Sequence, residues 1–370
     1  MIKVRHLFFL IILFFGCNSI VLSQFTDTAT MRIIEQNKTA SEGDLYLDTN
    51  AKVYKIGSST GKLGWITDNQ IIDSLKVIND SLFIFLERGG NAGIPLDSLR
   101  LNTIELDSGL QYYTWDIAKQ EIEKDAIIKA DAIIHLAGAN VGEGRWTTKR
   151  KKVIIDSRIN SGNLLFESVK KFNPNLKTFI TSSAIGYYGM VNSEKTFKEK
   201  DDAGNDFLAE VCSKWESVAD QFSLLGCRVA KVRTGVVLDK NEGALAKLLT
   251  PIKLGIGSAL GSGEQAMPWI HLDDICGIYL HLIENEMLNG AYNGVAPAKN
   301  TNKEFSKTVA KILKKPFWFP KVPAFALKLL MGEQAVIALK GSQISSEKIE
   351  KTGFKFRFRN LHDALSEIIK

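Results

Sequence analysis

Two rhythms of apolar and polar positions divide the chain. Up to about residue 108, short alternating runs at 44–48, 53–56, 63–66, 82–86 and 94–99 predict strands. Turn formers separate them: Thr49-Asn50, Ser58 to Gly61, Asn79-Asp80 and Gly89 to Gly93. A small β-rich module over 24–108 is expected. From Gln111 onward, apolar runs at 111–115, 132–137, 178–182, 228–233 and 291–295 alternate with segments of helical period at 147–171, 206–225, 245–254, 272–285, 302–314, 323–339 and 360–369. That alternation is the signature of βαβ units and predicts an α/β domain around a mostly parallel sheet, with ligands expected at the strand ends.

The first 23 residues follow neither rhythm. Lys3, Arg5 and His6 precede an apolar stretch from Leu7 to Gly16, and Val21-Leu22-Ser23 ends on a small residue. This is the form of a secretory signal peptide, too short in its apolar part to span a bilayer, with cleavage expected after Ser23. The sequence then predicts export to the periplasm, the outer surface or the medium. Cys212, Cys227 and Cys276 would remain, an odd number without paired spacing, and they read as reduced, buried thiols suited to the cytoplasm.

Composition changes this picture little. The 370 residues suffice for two domains, and 45% apolar with 24% charged residues argues against disorder. Of the 47 basic residues only Lys149 to Lys152 form a run, which reads as the solvated first turns of an amphipathic helix. No nucleic-acid partner is expected. No histidines stand at metal-ligand spacing, so no metal site is proposed, and His135 on its apolar strand reads as a core residue.

Two strand ends carry candidate chemistry. IIHLAGA (133–139) ends in small residues, and Ala137 and Gly138 would let a flat cofactor approach the backbone. TFITSSAIGYYG (178–189) delivers Ser182 and Ser183 to a strand end, with Tyr187 four residues after Ser183; a hydroxyl there can hydrogen-bond a substrate oxygen. GSSTGKLG (57–64) lacks both a following apolar helix and the ending of a P-loop, and reads as a β-turn.

With RVAKVRTGVVL, GSGEQAMPWIHLDDI and GAYNGVAPA following SSAIGYYG in order, the chain from about 111 to 370 resembles an atypical, extended-type short-chain dehydrogenase. GRWTTKRKKVIIDSRINSGNLL (144–165), VPAFALKLLMGEQA (322–335) and TGFKFRFRNLHDAL narrow the resemblance to the epimerase-like branch with its own C-terminal helical region. The β module, through DLYLDTNAKVYKIG and LKVINDSLFIFLERGG, is similar to hairpin modules of secreted bacterial surface proteins.

The resemblance implies a Rossmann-like, doubly wound sheet over 109–300 and a helical substrate-side domain over 301–370. It further implies NADP or NAD as cofactor, with a sugar nucleotide or another small hydroxylated metabolite as substrate. Ser183 would polarise the reacting oxygen and Lys214 would contact the ribose, with Ala137, Gly138, Ser182 and Arg233 on the cofactor side. Arg145, Trp146, Trp269 and His271 would line the substrate side, and GIGSALGSG (255–263) resembles its loop.

Two departures stand out. The superfamily's tyrosine four residues before the lysine is replaced by Glu210, which leaves Glu210 and Tyr187 as candidate acid/base groups. The match begins at QYYTWD, at the third strand, so the first Gly-rich βα turn that grips the pyrophosphate has no counterpart. The sequence therefore predicts a dehydrogenase or epimerase-like protein impaired in cofactor binding. The alternatives are an exported, non-enzymatic binding or surface protein and an inactive gene-fusion product.

Overall fold

A computed structural model describes residues 113–241 and 243–369 in full, together with the backbone of strands between residues 9 and 86. Two compact units emerge: Met1–Phe8 with Val21–Tyr112, and Phe9–Ile20 with Tyr113–Lys370. In the first unit Leu45–Asp48, Val53–Gly57 and Leu63–Trp65 form an antiparallel three-stranded sheet. A separate hairpin joins Ile72–Ile78 to Ser81–Leu86 across Asn79-Asp80. The hairpin's first strand was not expected from the sequence, and the strand expected at 94–99 lies outside the described residues.

The second unit is an α/β sheet whose strands are β1 (Phe9–Leu13), β2 (Ser19–Leu22), β3 (Thr114–Asp116), β4 (Glu121–Ile122), β5 (Ala132–His135), β6 (Thr178–Ala184), β7 (Arg228–Thr234) and β8 (Gly290–Gly294), in the spatial order 8-7-6-5-1-2-3-4. Strands β8, β7, β6, β5 and β1 run parallel, whereas β3 pairs antiparallel with β2 and with β4. The longer helices are α1 (Thr148–Phe172), α2 (Phe207–Asp220), α3 (Gly243–Lys253), α4 (Leu272–Glu284), α5 (Asn302–Ile312), α6 (Ala324–Met331) and α7 (Leu361–Ile369). The α/β class expected from the alternating pattern is the one observed.

Local chemistry sets the helix ends. The Thr147 side chain accepts from Arg150 N–H at the start of α1, and Asp206 accepts from Ala209 N–H at the start of α2. Thr301 and Glu304 close a capping box on α5. The single helix expected over 323–339 is instead broken after Met331, where Gly332 turns to φ 63° and a second short helix, Val336–Leu339, follows.

One buried polar group fastens the helices to the sheet. His135, on β5, is 1% exposed. Its Nε2 faces Ser161 Oγ at 2.8 Å, and Trp215 Nε1–H donates to its Nδ1 at 3.3 Å. Because Ser161 donates to the Ser157 carbonyl, the imidazole is neutral with its proton on Nε2. This is the core histidine expected from the sequence.

Burial, with the Arg158 charge nearby, pushes the His135 pKa from 6.5 down to about 3. The unfolded chain takes up this proton as the pH falls below 6.5, and the native chain does not until about 3. Stability is therefore lost on acidification through that window, by at most about 1.4 kcal/mol per pH unit from this group. Urea midpoints measured from pH 6.5 downward are expected to fall less steeply in His135→Gln than in the parent. Equal slopes would remove His135 as the cause.

Candidate functional site

The carboxyl ends of β5, β6, β7 and β8 meet at one edge, where a polar network is buried. Ser183, 2% exposed, donates from Oγ to Glu216 Oε1 at 2.8 Å. Arg233 on β7 grips the same carboxylate twice, Nε to Oε1 at 2.8 Å and Nη2 to Oε2 at 2.9 Å. Its Nη1 reaches Tyr188 Oη and the Glu199 carbonyl, both at 3.1 Å. Tyr188 in turn donates to Asn293 Oδ1 at 2.6 Å, and burial raises its pKa to about 12. Burial works against the Arg233 charge, but Glu216 and Tyr188 outweigh it and hold the proton more firmly than in water.

Tyr187, in the turn of 3₁₀ helix after β6, lies half-buried beneath Arg233, whose guanidinium carbon is 3.4 Å from the ring centroid. Its hydroxyl makes no hydrogen bond among the described residues. Ser183 and Tyr187 are thus brought to one place, as expected. Ser182, on the same strand end, is turned to donate to the Ser183 carbonyl. Arg233 sits at the expected edge, but its fork is spent on Glu216 and is not open to a phosphate.

The expectation for Lys214 and Glu210 requires correction. They pair with each other at 2.7 Å on the outer face of α2, each about half exposed. Helical period explains the miss: residues 208, 212, 215, 216 and 219 face the sheet, while 210 and 214 point outward. The pair four apart beside Ser183 is Leu208 and Cys212, both packed against Gly186. Burial raises the Cys212 thiol to about 11, so it stays protonated at neutral pH. Glu216, a charge on an otherwise apolar helix face, is the signal that would have exposed the network.

The residues expected on the substrate side hold the fold together. Arg145 donates from Nη2 to the Leu329 carbonyl at 2.5 Å and to the Leu330 carbonyl at 3.1 Å, satisfying the end of α6. Trp146 packs edge-on to Phe207 with its indole N–H on the Val141 carbonyl. Trp269, fully buried, donates to Asn300 Oδ1 at 2.9 Å inside the cluster formed with Leu238, Leu249 and Phe305. His271 accepts from Asp273 N–H to cap α4, meets Glu367 of α7 at 3.0 Å through Nε2, and stacks on Phe358. Size and an aromatic face do not separate a substrate wall from a core, and here the core reading holds for both tryptophans.

After β5, Ala137 is fully buried and a Cβ on Gly138 would come within 2.6 Å of the Arg158 guanidinium carbon. The glycine therefore makes room for an arginine. Arg158 is 8% exposed, lies over the Trp215 ring at 4.7 Å and donates to the Ala139 and Ile154 carbonyls, while its Nε has no partner. Burial lowers its pKa to about 10, so it remains charged at neutral pH. A buried cation without a carboxylate at a strand end fits a negatively charged group. An opening of about 500 Å³ lies on the outer side of α2, lined by Lys151, Asp206, Phe207, Glu210 and Glu333.

Comparison with known proteins gives this arrangement relatives. The pattern of the NAD dependent epimerase/dehydratase family matches residues 94–293, and a domain of unknown function matches 322–368. An epimerase family protein of Staphylococcus aureus strain N315 is 32% identical over 324 residues, covering 86% of this chain and 99% of the relative. The human epimerase family protein SDR39U1, solved with NADPH, is similar at a TM-score of 0.60 and 32% identity, over 65% of this chain and 82% of that one. A nucleoside-diphosphate sugar epimerase from Corynebacterium glutamicum matches at a TM-score of 0.54 and 28% identity, over 69% of this chain and 49% of its own.

The network gives a stability contrast. Glu216→Gln leaves Arg233 buried without its counter-charge, and a loss of about 3–5 kcal/mol is expected in urea unfolding. Lys214→Met, at an exposed pair, is expected to change stability by less than about 1 kcal/mol. Equal effects would show that the network does not carry the edge of the sheet.

Proposed function

The chain belongs to the NAD dependent epimerase/dehydratase family, and on that premise we propose that it binds NADPH or NADH at the carboxyl edge of its sheet and acts there on a small hydroxylated substrate, a sugar nucleotide by the nature of its relatives. The observations that carry this reading are Ser183 at the end of β6 with Tyr187 in the turn that follows, and the carboxylate-free cation Arg158 against Gly138 after β5. Bound dinucleotide would supply hydride exchange, the chemistry common to redox and epimerisation. Arg158 would offer its charge to the dinucleotide phosphates beside the turn at Ala137 and Gly138.

Ser183 spends its proton on Glu216, so its oxygen is left to accept from a substrate hydroxyl and orient it. Tyr187, with its hydroxyl uncommitted, is the side chain placed for proton transfer, since Cys212 holds its proton and Leu208 has none to give. The charged fork on Glu216 keeps Ser183 in one rotamer, so the hydroxyl is set before substrate arrives.

Export by the leader over 1–23 stays part of this reading.

Titration with NADPH and with NADH, followed by nicotinamide fluorescence, is expected to show saturable binding. Gly138→Ala, which drives a Cβ into Arg158, is expected to weaken it at least tenfold. Tyr187→Phe is expected to keep binding while lowering turnover on a sugar-nucleotide panel by roughly 10²-fold or more. No fluorescence change with either dinucleotide would defeat the proposal.

A further inference from the structure

The C-terminal region displays apolar side chains that a monomeric soluble protein ordinarily covers. Trp318, Phe325, Leu329 and Leu330 are between 71 and 74% exposed, and Phe319 is 45% exposed. They fall within thirteen consecutive residues that end on α6. Phe325 and Leu329 stand one turn apart on the same face of that helix, with Lys328 between them. Only Leu327 of α6 is buried, so the helix rests on a single anchor and turns the rest of its apolar surface outward. Single exposed apolar side chains need no explanation, but a run of this kind marks a docking surface.

Charge says what docks there. Between Glu304 and Glu333 the chain contains no acidic residue and six lysines: Lys307, Lys311, Lys314, Lys315, Lys321 and Lys328. All six are exposed, and among the described residues none forms an ion pair with a carboxylate. A second copy of the chain seated face to face would bring two such sets together with no carboxylate in the stretch to answer them. An anionic surface would neutralise them, while the aromatic and leucine side chains enter the boundary between headgroups and acyl chains. Tryptophan and lysine are the residue types that anchor such a boundary.

From this combination we infer that residues 311–331 form a docking surface for an anionic lipid bilayer. The protein lies on the membrane through α6 and the Trp318–Phe319 turn and does not cross it; no helix among the described residues is long and apolar enough to do so. The surface is independent of the nucleotide reading, because neither Ser183 nor Arg158 belongs to it. Arg145 holds the carbonyls of Leu329 and Leu330 from the turn after β5.

The test is sedimentation of the full chain with vesicles of phosphatidylcholine alone and of phosphatidylcholine mixed with phosphatidylglycerol. Binding is expected to the mixed vesicles, weakening as salt rises. Lys314→Gln and Lys328→Gln are each expected to weaken it about fivefold, equivalent to about 1 kcal/mol per lysine. Phe325→Glu with Leu329→Glu is expected to abolish it while leaving the melting temperature unchanged, because both positions are exposed. Mixed-vesicle binding should also shift tryptophan emission to the blue, by less in Trp318→Phe. The inference fails if the mixed vesicles are not bound, or if the Glu variants bind as well as the parent, since Phe9 to Leu13 would then be the apolar segment responsible. It fails equally if the parent self-associates in sedimentation velocity, the Glu variants do not, and neither binds vesicles.

Discussion

The edge of the sheet depends on the buried pairing of Arg233 with Glu216. Two opposite charges taken out of water are tolerable only when geometry and additional hydrogen bonds replace the lost hydration. Here the two-point grip supplies the geometry, and Ser183, Tyr188 and the Glu199 carbonyl supply the remaining partners. The pair joins β6, β7 and α2 and, through Tyr188 and Asn293, β8. The side chains closest to the proposed chemistry are therefore also those that fix the strand ends, and an edge built this way trades plasticity for a preset hydroxyl.

What was legible beforehand was what periodicity encodes. Strand β6 and helix α1 lie within two residues of the sequence expectation at each end, because their apolar faces repeat without interruption. The network at Ser183 was half legible. A serine at a strand end signals itself, but its partner Glu216 lies thirty-three positions away and had to be found by asking which face of α2 carries a charge it should not. Spacing alone pairs Lys214 with Glu210, but their phase around α2 turns both to the outer face. The tryptophans and His271 are ambiguous in sequence for another reason: large side chains with one polar atom serve a core that offers a single acceptor as readily as they serve a ligand.

Arg158 and His135 share one interior and divide its electrostatics. The arginine keeps its charge against burial, and that charge is one of the two causes that hold the imidazole neutral. Gly138 and Gly162 both make room for this arrangement, the first for the guanidinium and the second for Val218 beside the imidazole. Small residues near a strand end invite a ligand-binding reading, yet at Gly138 the space is taken by the protein's own cation. That cation is what a phosphate would meet.

Strands β1 and β2 are cut from the same residues that read as an export leader. A peptidase acting after Ser23 would carry off both, leaving β5 as an unpaired margin along four residues that now pair with β1. Were that leader reading to hold, cleavage and completion of the sheet would draw on a single stretch of polypeptide. A chain that keeps it has a sheet eight strands wide; a chain that loses it must shield the bare backbone of β5 by other means.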